Sequence, residues 1–210
     1  VYYTFGAAPI ICLGLAVIFY RIYRLLKKKL SNAKLLFFWM YLHACNMFFG
    51  AYVSGVITSS GFHWVTNYIP VNKKVEYVIS FFCVLTMFII GYFSTKGFIQ
   101  MSPAKTLIER FSRRNFILAV CVAPWIVGSA LIIVFKIPNI LPSEMLFLLM
   151  MFTVVVPVLL VQRNFMEVNL VRRTKNYGPD LIFITAGIIA VLLYRSLFEF
   201  GLEFANHATT

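Results

Sequence analysis

Residues 35–58 read LLFFWMYLHACNMFFGAYVSGVIT. A bilayer's hydrocarbon core is crossed by about 20 apolar residues rising 1.5 Å each, so this stretch is long enough to span. It also carries His43, Asn46, Ser54 and Thr58. At helical spacing Asn46, Gly50, Ser54 and Thr58 recur every fourth residue and share a face. His43, one turn before Asn46, is read onto the same side. Ala44, Ala51 and Gly55 form a second small stripe beside it. Small residues admit a neighbouring helix closely, and polar ones bond across the contact. This segment is therefore expected in the middle of a bundle, with Gly50, Ser54 and Thr58 as its packing residues.

Outward from it, the chain repeats the pattern. Of its 210 residues 61% are hydrophobic and 12% charged, with a mean hydropathy of +0.86. Soluble domains carry roughly 25% charged residues. The expected fold is all-α: a polytopic transmembrane bundle forming a single domain over 1–210. Six spans are read at about 7–26, 35–58, 75–98, 116–135, 143–162 and 181–204. Ser102 followed by Pro103 starts a helix, a capping hydroxyl before a first-position proline. Leu107, Ile108 and Phe111 then oppose Lys105, Glu109, Arg110, Arg113 and Arg114, as in a short amphipathic helix, about 103–113, resting on the membrane surface. Pro9 suits the first turn of span one. Pro124 and Pro157 sit inside spans four and five, where they kink helices.

The net charge of +12 falls between the apolar runs, which points to membrane topology rather than nucleic acid. Loops one to five carry +6, +1, +4, 0 and +2. Odd loops are therefore expected in the cytoplasm, and both ends of this chain outside. A bacterial-type cytoplasmic membrane is the expected location. An outside start at Val1 suggests a further span upstream. Lys27, Lys28, Lys29, Arg113 and Arg114 are candidate contacts for anionic lipid.

Span six places Arg195, Glu199, Glu203 and His207 every fourth residue. Ionisable groups at membrane depth face the bundle or a wet cavity. His43, Asn46, Arg195, Glu199 and Glu203 are thus a candidate polar intramembrane site between spans two and six. Its plainer reading is an Arg195–Glu199 pair that pins the bundle.

The four cysteines, Cys12, Cys45, Cys83 and Cys121, all lie in expected spans and lack metal-knuckle spacing. No metal or cofactor is expected. A membrane zinc protease needs His-Glu-x-x-His on a helix. Here His43 is followed by ACNM, His63 by WVTN and His207 by ATT. A membrane serine protease needs a Gly-x-Ser-x-Gly-type turn and a later histidine. VSGVITSSG (53–61) is rich in Ser and Gly, but no histidine lies within a later span. Phosphate-cradling glycine loops are absent as well.

The leading expectation is a non-catalytic integral membrane subunit or scaffold, its partners being membrane lipid and other membrane proteins. The second is a small transporter or channel lined by His43, Asn46, Arg195 and Glu199. The third is an N-terminally truncated or degenerate membrane enzyme.

Overall fold

The computed structural model describes residues 2–26, 32–59, 72–101, 110–137 and 140–162. All of them fall in one compact unit, Val1–Arg173. Span six with Arg195, Glu199, Glu203 and His207 lies outside the described residues. So do Lys27 to Lys29, the loop carrying His63, and residues 103–109 of the expected surface helix.

Every regular element among the described residues is helical. In chain order these are α1 (Tyr2–Leu25), α2 (Asn32–Thr58), α3 (Lys73–Gln100), α4 (Arg110–Ile117), α5 (Ala123–Lys136), α6 (Pro142–Met150) and α7 (Phe152–Val161). Four helical segments are long and apolar enough to cross a membrane: Ala33–Thr58, Lys73–Gln100, Arg113–Lys136 and Pro142–Val161. They coincide with expected spans two to five. The local signals are clear. Between Lys34 and Thr58, α2 has no charged residue. Asn72 caps α3, its side chain accepting the Lys74 N–H at 3.2 Å. Lys136 and Glu144 form an ion pair across the turn from α5 to α6.

As expected, α2 is the centre of this unit, packing against α1, α3 and α6, while α7 packs along α3. Leu42, Met87, Phe98, Ile99, Val154 and Val158 are fully buried in the shared core. Lipid tails are as apolar as these side chains, so the contact is held by close packing rather than by escape from water. Two glycines set how closely the helices approach. A Cβ at Gly91 would strike the Val154 carbonyl oxygen and sit 2.9 Å from Val154 Cα, so α7 lies backbone to backbone on α3. A Cβ at Gly50 would strike Asn46 Oδ1 and sit 3.2 Å from Met150 Cβ, at the crossing of α2 and α6.

The structure corrects two expectations. Pro9 is not in a first turn, because α1 begins at Tyr2 and carries the proline inside. Nor does a separate surface helix end near Arg113. From Arg110 the chain is helical through Ile117, widens into a π-helical turn at Leu118–Val122, and continues as α5 to Lys136. The apolar run from Phe116 onward extends the basic segment into the span.

Candidate functional site

Two places gather polar groups within the described helices. The first is a pair of helix irregularities facing α2. Proline has no N–H, so Pro124 cannot donate to the carbonyl four residues back, that of Val120. The helix widens there, and Ala123 N–H bonds Leu118 O, five residues back, the π-helical pattern. Trp39 on α2 donates its indole N–H to Val120 O at 3.1 Å. The second irregularity is at Met151, which separates α6 from α7. Met151 keeps right-handed helical dihedrals, φ −61° and ψ −20°, its N–H bonding Leu149 O, and nearby carbonyls also accept from side chains. Asn46 Nδ2 donates to Phe147 O at 3.2 Å. Trp125 Nε1 donates to Leu148 O at 3.2 Å. Thr153 Oγ1 donates to Met150 O at 2.7 Å. Three carbonyls beside Met151 thus accept from side chains, two of those donors standing on other helices.

Asn46 is 1% exposed, and its Oδ1, lying over Gly50, meets no donor among the described residues. Ser54, also buried, bonds back to Ala51 O at 3.1 Å, and Thr58 to Ser54 O at 2.7 Å. These two hydroxyls are turned onto their own helix. His43 is exposed on α2, its ring 5.5 Å from that of Trp39. Of the five candidate site residues, His43 and Asn46 are described, the first exposed and the second buried.

The basic candidates divide too. Arg113 donates to Gln162 O at 3.2 Å, at the end of α7, where a cation meets the negative end of a helix. Arg114 is exposed. Among the described residues no group of three or more His, Cys, Asp or Glu is placed to hold a metal.

The second place is a cavity of about 500 Å³ where the C-terminal ends of α1 and α3 meet the N-terminal end of α2. Three cations line it, one from each helix: Arg24, Lys34 and Lys96. Tyr20, Tyr23, Tyr41, Ser94 and Gln100 add hydroxyl and amide groups. Lys34 is only 6% exposed, with its ammonium 5.2 Å from the centre of the Tyr23 ring. Arg24 lies over Tyr20 at 5.8 Å and donates to its hydroxyl at 3.3 Å. Gly97 lets α3 close the wall, since a Cβ there would fall 2.7 Å from Phe38 Cζ and 3.2 Å from Tyr23 Oη. The run of cations after α1 is visible in the sequence. The cavity is not, because its residues come from three separate helices.

Comparison with known protein families, with curated proteins and with solved structures finds no match for the chain.

Proposed function

We propose that this chain is a non-catalytic integral membrane subunit, a six-span scaffold that packs with other membrane proteins and with lipid. Its basic loops face the cytoplasm. The observation that carries this reading is the use made of polar groups within the spans. Trp39, Asn46, Trp125 and Thr153 all serve carbonyls in or beside helix irregularities. In lipid such bonds hold a bundle together. A second support is α5, which has no buried residue and whose Gly128 faces open space. A helix apolar all round and so little packed within its own unit suits a surface covered by lipid or a neighbouring subunit.

The test is the native mass of the gently solubilised protein, with identification of the chains that accompany it. Partner chains in fixed stoichiometry are expected. A lone monomer or simple homo-oligomer would overturn the subunit reading.

A small transporter or channel is the second reading, and the divided span α6–α7 favours it, because broken helices flank binding sites in transporters. Its test is replacement of Arg195 and Glu199 together by apolar residues, with flux measured in liposomes. Unchanged uptake and proton leak in the folded variant would exclude it.

A further inference from the structure

We propose that the outward face of α2 around His43 is an interface, and that its occupant is a membrane-spanning helix of another subunit presenting a hydrogen-bonding side chain to the imidazole. The inference deepens the subunit reading above, by naming the surface through which a partner packs, and rests on it.

Three observations converge. The first is depth. His43 lies in the span Ala33–Thr58, about 15 Å from one end and about 22 Å from the other at 1.5 Å per residue, and so in the hydrocarbon core. Ionisable groups at that depth face a bundle interior or a wet cavity and pair there. His43 is instead exposed on this unit, and it makes no hydrogen bond among the described residues. Lipid tails offer it none. The bundle to which His43 is interior therefore extends beyond this unit, across that face. The second is how the ring is held. Trp39 lies one turn before it, the two rings 5.5 Å apart, and Trp39 is itself buried and fixed by its bond to Val120 O. The indole N–H is thus already engaged, and the imidazole stands against a fixed aromatic neighbour with its own nitrogens open to a partner. The third is the shape of the face. Leu36, Met40, His43 and Met47 follow at steps of four, three and four, which places them in one stripe. Leu36 and Met47 are exposed and Met40 is half-buried, while elsewhere α2 packs against α1, α3 and α6. The stripe runs about 16 Å along the helix axis, about three turns, long enough for a second helix to lie on it. The methionines on either side of His43 are flexible and adapt to a partner's surface.

The chemistry of the face also selects the occupant. An acyl chain would match Leu36 and the methionines but leave the imidazole unsatisfied, and an unsatisfied polar group in an apolar medium is costly. A soluble partner does not reach that depth. Polar side chains bond across helix contacts in membranes, and a neutral imidazole both donates and accepts, so a hydroxyl, amide or carboxyl group on the partner helix satisfies it. Asn46 does the same inside the unit, donating to Phe147 O of α6.

The experiment is photocrosslinking of the full chain in its own membrane, before any detergent. The photoreactive p-benzoylphenylalanine replaces Met47 and, in a second variant, Phe93, which is 69% exposed on α3. Products are mapped by mass spectrometry. Position 47 is expected to crosslink to a membrane-spanning segment of a different chain, with a hydroxyl, amide or carboxyl side chain within one turn of the crosslinked residue. In the solubilised complex His43→Phe should then weaken partner binding about threefold to tenfold, the usual worth of one such bond, and His43→Gln should keep most of the affinity. The isolated chain should melt alike in all three forms. Replacing the partner's polar residue by leucine should have no further effect in the His43→Phe background. Crosslinks from position 47 that go only to lipid, to a second copy or elsewhere in the same chain overturn the inference. So does unchanged partner affinity in His43→Phe, or a fall in the melting temperature of the isolated variant that accounts for the lost affinity. A partner crosslinked from position 93 and not from position 47 overturns it while the subunit reading stands. The absence of any partner chain from both positions and from the native mass ends both.

Discussion

The indole N–H of Trp39 points at the carbonyl of Val120 from 3.1 Å, across 81 residues of sequence, at the carbonyl to which Pro124 has no N–H to offer. A proline in one span and a tryptophan in another are thus one structural unit. Trp39→Phe keeps the ring and removes the donor, and should cost about 1–2 kcal/mol, the penalty for a polar group left unsatisfied. Pro124→Ala returns an N–H to the helix, so in that background Trp39→Phe should cost much less. A double-mutant cycle by reversible unfolding in mixed micelles measures the coupling. Additive effects would show that the two residues act separately.

Asn46→Ala removes the bond to Phe147 O. Interhelical polar bonds in membranes are worth roughly 0.6–2 kcal/mol, so the same unfolding assay should register a loss of that size. Flux through the reconstituted protein should be unaltered if Asn46 serves only as a cap. A large change in flux with little change in stability would favour the transporter reading.

Glycine replacements should separate sharply. Gly91→Ala forces a methyl onto the Val154 backbone, which cannot rotate away as a side chain can. A loss of about 1–3 kcal/mol is expected from overpacking. Gly128→Ala meets nothing within 4 Å and should be neutral or stabilising by up to ~1 kcal/mol through helix propensity. Equal effects at the two sites would contradict the close approach of α3 and α7.

Adjacent arginines should also differ. Arg113→Gln loses the bond to Gln162 O at the end of α7 and should destabilise by about 1.5–3 kcal/mol, the usual worth of a hydrogen bond from a charged group. Arg114→Gln, at an exposed position, should fall within ~0.5 kcal/mol of wild type. The contrast in thermal midpoint between the two variants is the readout.

The central place of α2 was legible because small and polar residues every fourth position have few uses on a lipid face. Spans two to five were legible from length and apolarity. Other features depended on partners that no local pattern names. Pro124 signals a kink, but not that Trp39 would take up the carbonyl. The break at Met151 has no glycine or proline at its own position, and Pro157 lies six residues on. The exposure of His43 beside the ring of Trp39 was not legible from its spacing to Asn46. The basic cavity was hidden because its cations stand on three helices, while the densest basic run drew attention to Lys27, Lys28 and Lys29.

The capping of α6 also bears on how the chain is made. Asn46 stands 101 residues ahead of the carbonyl it serves, so α2 leaves the ribosome long before its client exists. The carbonyls of Phe147 and Leu148 meet their side-chain donors, Asn46 and Trp125, on helices made earlier, while Met150 O finds Thr153 within the span itself. The earlier helices thus offer this span ready contacts as it docks during synthesis.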